Sequence, residues 1–232
     1  RISIITSPFG TLPPSGIGAI EKRWHNMGVA FAGLGHEVVF YCKRSEQEYV
    51  SGHGYSFRSF TGYKRTGNLP SDLWLDLLYS FRVLIRLSQC DVVVMNTFFT
   101  ALLCPLFRRK FKVAVYNVAR YPKGQLRWYK GVDRLACVSR AVAKVAIEQS
   151  PHVANKIKVV NNPVDTVSFR CPSTGSVSEK NHIGCKDHVI GYSGRIHPEK
   201  GLDLLVKAVV WLRKKNYRLR LRLVGPRTVA QG

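Results

Sequence analysis

The residues best placed to do chemistry lie in Gly191-Tyr192-Ser193-Gly194-Arg195-Ile196-His197-Pro198-Glu199-Lys200-Gly201. A short apolar run ends there, the chain turns through Gly194, and two cations flank the start of an amphipathic helix carrying Leu202, Leu205, Val206, Val209 and Val210. Arg195 can grip phosphate oxygens bidentately, Lys200 adds a point charge, and the helix N-terminus adds its dipole to both. That set suits a diphosphate leaving group. Taken singly, the same cations would also serve as solvated residues capping a loop. His197 lies within the run, but a lone histidine is more often structural than catalytic.

A second run, Ser15-Gly16-Ile17-Gly18-Ala19-Ile20-Glu21, follows the first apolar segment and opens a helical stretch. Glycines there let backbone approach a ligand, and the free N–H groups of a helix start attract phosphate. It falls short of a dinucleotide fingerprint, because Ala19 and Glu21 stand where further glycines belong. The second strand ends in Cys42-Lys43-Arg44 with no acidic residue, which weighs against NAD. A purely structural turn remains open. Third, Arg120, Tyr121, Lys123, Arg127, Trp128 and Tyr129 form an aromatic and basic cluster after a strand. The carboxyl end of a strand is where an open α/β sheet binds ligands, although surface packing would use the same residue types.

The elements that must position these residues alternate short apolar runs with amphipathic stretches, the rhythm of β-α repetition around a parallel sheet. Strands are predicted at Ile2–Thr6, Glu37–Cys42, Asp91–Asn96, Lys112–Asn117, Arg134–Val138 and Lys158–Val160, with Tyr55–Phe60 as a candidate edge strand. Helices are predicted near Ala19–Gly33, Ser71–Leu87, Thr100–Arg108 and Arg140–Gln149. Continuous runs such as Asp91-Val92-Val93-Val94 mean strands covered on both faces. In Ser71–Leu87 the residues Trp74, Leu77, Leu78, Phe81, Leu84 and Ile85 recur at helical spacing, which reads either as a core-packing face or as a membrane-surface element.

Pro163 stops the pattern, and the polar stretch 172–187 has linker composition. The rhythm restarts with a strand at His188–Ser193, a helix at Leu202–Lys214 and a strand at Leu219–Val224. The expectation is an α/β fold: a Rossmann-like domain over residues 1–165 and the beginning of a second, incomplete one over 166–232. The opening on strand residues without Met suggests that a few leading residues are missing.

The chain has 232 residues, 45% of them hydrophobic, and a formal net charge of +22. This composition fits a globular protein and excludes a disordered or collagen-like chain. The basic excess runs along the whole sequence, predicting attraction to something anionic. A nucleic-acid-binding protein is the obvious rival reading, but the cations are dispersed and no nucleic-acid-binding motif is present. Six cysteines contain no C-x-x-C pair and mostly sit in apolar surroundings, as buried free thiols do. No metal site is expected, since no Cys/His cluster has ligand spacing. No stretch is long and apolar enough for a transmembrane helix, and no signal peptide is evident.

Ser193-Gly194-Arg195-Ile196-His197-Pro198-Glu199-Lys200-Gly201 resembles the S-G-R-x-x-x-x-K-G signature of the retaining glycosyltransferases of family 4, which have the GT-B fold. Other stations agree in order: the Gly16/Gly18 loop, Gly35-His36-Glu37-Val38, Asp133-Arg134-Leu135-Ala136-Cys137-Val138-Ser139, Asn162-Pro163-Val164-Asp165 with Phe169, and Leu223-Val224-Gly225. The resemblance implies an N-terminal acceptor domain, a C-terminal domain that binds a nucleotide-diphosphate sugar, and catalysis in the cleft between them. It places Gly16 and Gly18 beside the donor phosphates, and Arg195 and Lys200 on the diphosphate. Transfer would retain anomeric configuration, with no cofactor and no metal because fixed cations neutralise the leaving group. The sequence indeed has no D-x-D of the metal-dependent kind.

Two departures from the family stand out. Many relatives carry His where this chain has Asn117, which can hydrogen-bond a sugar hydroxyl but cannot titrate near neutral pH. The E-x7-E pair of the donor domain is absent: no two glutamates here have that spacing. The catalytic carboxylates are therefore unassigned, and the chain as it stands is expected to be truncated and inactive, or a non-catalytic scaffold of the same fold. Acceptor contacts are expected from Asn117, Arg120 and Tyr121. The expected acceptor is a glycan or lipid-linked sugar of surface polysaccharide or glycolipid assembly. The expected location is cytoplasmic, peripheral on the inner face of the membrane, with anionic lipid as a partner.

Overall fold

The computed structural model describes residues 1–13, 19–45, 52–164, 166 and 188–225. Gly16, Gly18, Asp165, Phe169, Cys171, Cys185 and the polar stretch 172–187 lie outside the described residues. Contacts divide the chain into a unit Arg1–Val164 and a unit Asp165–Gly232.

The first unit is built on seven parallel strands: β1 (Ile2–Ile5), β2 (Val38–Lys43), β3 (Tyr55–Phe60), β4 (Cys90–Met95), β5 (Phe111–Val118), β6 (Arg134–Cys137) and β7 (Ile157–Val159). Their spatial order is β3-β2-β1-β4-β5-β6-β7. The chain grows outward from β1 in one direction and then, from β4, in the other. This reversal makes a doubly wound sheet with a crevice at the carboxyl ends of its strands. The edge strand Tyr55–Phe60 forms as expected, paired along Val38–Lys43 of β2.

Both sheet faces are buried because adjacent residues point to opposite sides. Ile5, Val39, Tyr41, Val93 and Met95 enter one core, while Ile4, Val38, Phe40 and Val94 enter the other. Helix α1 (Ala19–Gly33) lies close on the second face at Gly28, where a Cβ would come within 2.2 Å of the Phe40 ring. Ser139 accepts from Val142 N at 3.2 Å and starts α4 (Arg140–Gln149). Cys42, Cys90, Cys104 and Cys137 are buried thiols that form no disulfide among the described residues, and burial pushes the Cys104 thiol up to about 12.

Two helices differ from expectation. The stretch Thr100–Arg108 is not one helix. Instead α3 covers Phe98–Leu103, and a 3-10 segment, Cys104–Lys110, follows with Phe107 at φ −115°, ψ 18°. Pro105 has no N–H to continue the α-helical ladder, so the chain tightens and breaks there. Helix α2 (Leu69–Arg86) forms, but Trp74, Phe81 and Ile85 do not reach the core. The buried face is Asp76, Tyr79, Ser80, Val83 and Leu84.

The second unit contains β8 (His188–Ser193), α5 (Leu202–Lys214) and β9 (Leu219–Val224), with β8 and β9 paired in parallel. Half-buried Leu219 and Leu221 alternate with exposed Arg220 and Arg222 along β9.

Candidate functional site

In the first unit a groove of about 500 Å³ opens at the carboxyl ends of β4 and β5. Asn96 and Asn117 lie in it, Ile20, Leu69, Leu73 and Phe98 supply apolar walls, and Arg120, Tyr121 and Lys123 are exposed along its margin. Its location follows from topology: β5 delivers Asn117 to the mouth of the sheet, and the following loop carries Arg120 and Tyr121 outward. The aromatic wall is locked by ring contacts. Phe98 meets Trp128 edge-on at 6.3 Å and Tyr129 at 5.9 Å, and Tyr129 meets Tyr116 at 4.7 Å.

Asn117 is buried and its amide orientation is set by a relay. Asn96 Nδ2 donates to Ile5 O at 2.9 Å, and Asn117 Nδ2 donates to Asn96 Oδ1 at 2.8 Å. One amide hydrogen is thus committed, while the carbonyl oxygen and second N–H of Asn117 have no hydrogen-bond partner among the described residues. Behind it Arg23 donates through Nη1 to Asn162 Oδ1, which brings the Asn162-Pro163 station against α1. Burial holds the Arg23 guanidinium below its ordinary pKa.

Asp76 supports the groove from beneath. It accepts from Phe99 N at 3.1 Å and from Ser80 Oγ at 3.4 Å, fixing the start of α3 and with it Phe98. Burial pushes its carboxyl up to about 6, against the opposing pull of these hydrogen bonds. The folded pKa lies above the unfolded one, so the native state holds this proton more tightly. Stability from this group is full below the unfolded value and declines as pH rises from about 4 through 6. Asp76→Asn, which keeps an acceptor for Phe99 N, is expected to raise stability at pH 7 by ~1–3 kcal/mol and to remove that decline. Urea unfolding at pH 4.5 and pH 7 checks it; an Asn variant weaker at pH 7 would show that the carboxylate hydrogen bonds outweigh its burial.

In the second unit the cation loop is organised by backbone. Gly194, at φ +154°, donates to Val224 O at 2.9 Å, and Tyr192 OH donates to Arg195 O at 2.8 Å. His197 Nδ1 accepts from Glu199 N at 3.3 Å and starts a 3-10 turn, Pro198–Lys200, so this histidine is a cap. Gly201, at φ 62°, takes the left-handed conformation that joins this turn to α5. Arg195 is half-buried and Lys200 exposed. Neither makes an ion pair or side-chain hydrogen bond among the described residues. Among the described residues two cations thus stand without an anionic partner around a turn that feeds a helix start, an arrangement that can hold phosphate oxygens.

The sequence model of Glycosyltransferase Family 4 matches residues 20–168. The chain belongs to that family. Its fold class is that of the GT-B glycosyltransferases, as solved structures also indicate. The catalytic domain of starch synthase IV from Arabidopsis thaliana, bound to ADP and acarbose, superposes with a TM-score of 0.72 at 11% identity over 99% of this chain and 69% of its own. Anabaena HepE in complex with UDP and glucose gives 0.67 at 17% identity over 99% of this chain and 62% of its own. The lipopolysaccharide outer core galactosyltransferase WaaB gives 0.57 at 16% identity over 97% of this chain and 68% of its own. At these identities the likeness is one of fold. No curated protein sequence matches the chain.

For this family 4 chain, the structure brings the acceptor candidates Asn117, Arg120 and Tyr121 to one groove. It places Arg195 and Lys200 on one loop of the second unit. Gly16 and Gly18 lie outside the described residues. Sequence reasoning missed Asn96, Asp76 and Phe98. Only Asp76 left a signal, as a carboxylate within an apolar helical run. Among the described residues no group of three His, Cys, Asp or Glu side chains converges as a metal site, and no helix is long and apolar enough to cross a membrane.

Proposed function

We propose that this chain serves glycosyl transfer from a nucleotide-diphosphate sugar to a glycan or lipid-linked acceptor, with retention of configuration and without a metal. The first unit would take the acceptor in the groove at Asn117. The second would hold the donor diphosphate on Arg195 and Lys200. Gly16 and Gly18 remain candidates for the donor phosphates. The observation that carries this reading is the pair of unspent cations at the start of α5, combined with family membership. UDP, ADP and glucose in the similar structures support a nucleotide-sugar donor. The galactosyltransferase likeness supports a saccharide acceptor of the cell envelope.

In the proposed reaction the bond from the anomeric carbon to the diphosphate oxygen breaks as the acceptor hydroxyl oxygen bonds to the same face. The acceptor proton passes to the departing diphosphate oxygen. Arg195 and Lys200 stabilise the negative charge that accumulates on that leaving group, which is the work a metal ion does in other transferases. Asn117 would orient an acceptor hydroxyl through its uncommitted carbonyl oxygen. The enzyme would act in the cytoplasm, peripheral on the inner membrane face.

Calorimetric titration with UDP, ADP and GDP, followed by NMR of the anomeric proton during turnover, tests the proposal. Binding of one diphosphate is expected, and any product that forms is expected to keep the donor's anomeric configuration. Inversion would remove the retaining assignment, and absence of binding by all three would remove the donor site.

A further inference from the structure

The groove at Asn117 combines two kinds of lining. Asn96 and Asn117 supply amides, and Phe98, Tyr116, Tyr121 and Trp128 supply aromatic rings. Amides pair with hydroxyls, and a flat π-face accepts the C–H face of a sugar ring. Trp128 is the ring best prepared for that. It is 48% exposed, yet Phe98 meets it edge-on at 6.3 Å and the Arg127 guanidinium lies 4.8 Å from its ring centre. The indole is thus open to a ligand and held in place.

The charge at the margin has one sign. Among the described residues the groove is lined by Arg120 and Lys123 and by no Asp or Glu. Neither cation makes an ion pair or a side-chain hydrogen bond there. The loop that carries them is pinned. Pro122 between them is buried, Lys123 N donates to Gln125 Oε1 at 2.6 Å, and Gly124 N donates to Gln149 Oε1 at 2.8 Å. Gly124 turns the chain at φ +82°. Backbone fixed before a ligand arrives lowers the ordering cost of binding. Asp76, beneath the groove, is buried and accepts from Phe99 N and Ser80, so it gives these cations no partner.

We propose that this groove selects an anionic saccharide: one sugar ring stacks on Trp128, and a carboxylate or phosphate carried by that sugar is held by Arg120 and Lys123. An acidic substituent stands at the edge of a sugar ring. A ring lying flat on the indole therefore turns that group along the groove toward the margin, where a guanidinium can grip two of its oxygens. A neutral glycan would leave both cations without use, and an aliphatic chain would use the rings but not the amides. Calling this saccharide the acceptor rests on the glycosyl-transfer reading, whereas the binding site itself needs no turnover.

Two matched pairs of sugars test the proposal on the whole chain: cellotetraose against the glucuronate tetramer made by oxidising its primary alcohols, and trehalose against phosphorylated trehalose. Calorimetry measures affinity, and the Trp128 indole N–H signal, assigned by its loss in Trp128→Phe, locates the site. At least one acidic sugar is expected to bind about ten-fold or more tighter than its neutral partner. Which of them does so decides between carboxylate and phosphate. Arg120→Gln/Lys123→Gln should erase the preference, whereas Arg213→Gln/Lys214→Gln, the same charge removed from the second unit, should keep it. Trp128→Ala should weaken the acidic sugar by about ten-fold, and Trp128→Phe by less. All substituted side chains are exposed, so an unchanged thermal midpoint verifies folding. Equal affinity within both pairs, or a preference that both double variants erase alike, would overturn the proposal. So would failure of both acidic sugars to shift the Trp128 signal. Tighter binding of a single-stranded oligonucleotide would overturn it too, since stacked bases beside cations would then explain the cluster. Acidic-sugar binding without binding of any nucleoside diphosphate would leave this site standing and remove the transferase reading. Diphosphate binding without acidic-sugar binding would do the reverse.

Discussion

Arg195→Ala is expected to weaken binding of the preferred nucleoside diphosphate 10- to 150-fold, about 1.5–3 kcal/mol, with Lys200→Ala falling in the same range. The argument rests on what the two side chains do in the absence of ligand. Neither is held by a carboxylate among the described residues, so substitution unbalances nothing within the fold. The loop is shaped instead by the backbone bonds of Gly194 and Gly201 and by Tyr192 OH on Arg195 O, all of which survive truncation at Cβ. The loss should therefore appear in affinity and leave the thermal midpoint in place. Arg195 should cost the more, because a guanidinium can make two parallel bonds to one phosphate and an ammonium cannot. In the proposed reading both act on one diphosphate, so the double variant should lose less than the sum of the two. Calorimetric titration measures all three variants, with Arg213→Ala as a cation distant from the loop. Unchanged affinity in both single variants would sink the diphosphate assignment.

The parts of this molecule legible in sequence are those where local pattern and tertiary use coincide. Val92–Val94 could only be a strand covered on both faces, and β4 is one. The turn from Gly194 to Gly201 was legible because its glycines are required by conformation: Gly201 sits at φ 62°. Helix α2 was not legible in the same way. Its apolar residues occupy more than one face, and periodicity alone cannot say which face meets the sheet. The structure buries Tyr79, Val83 and Leu84 together with polar Asp76 and Ser80, because the latter two supply hydrogen bonds to the start of α3. Trp74 and Phe81, the most hydrophobic-looking pair, were left outside. Asn96 was invisible for a different reason. Its role lies wholly in contacts to Ile5 and Asn117, respectively 91 and 21 residues away, which no local pattern encodes. Pro105 did announce its effect on the helix, and the expectation of a continuous Thr100–Arg108 helix overlooked it.

Gly225→Ala is expected to disrupt donor binding from a position that bears no functional group. Strands β8 and β9 end side by side, and there Gly194 N donates to Val224 O at 2.9 Å. A Cβ on Gly225 would lie 1.7 Å from Gly194 O and 2.6 Å from its carbonyl carbon. These are backbone atoms, and no rotamer change can relieve the overlap. Gly225 also sits at φ +155°, a backbone conformation alanine rarely adopts. Either the Gly194 peptide moves by more than an ångström or the strand ends separate, and both displace Arg195, the next residue. Overpacking together with backbone strain should cost the second unit about 3 kcal/mol. Donor affinity should fall at least as far as in Arg195→Ala, although no ligand contact is removed. The two variants part company in hydrogen exchange: Arg195→Ala should keep the protection of the Gly194 amide, while Gly225→Ala should lose it. Exchange in β1 and β4 of the first unit should not change, since that sheet makes its hydrogen bonds within itself. Wild-type protection at Gly194 together with wild-type donor affinity would show that the loop tolerates the added methyl, and that the glycine at the end of β9 is not what aims Arg195.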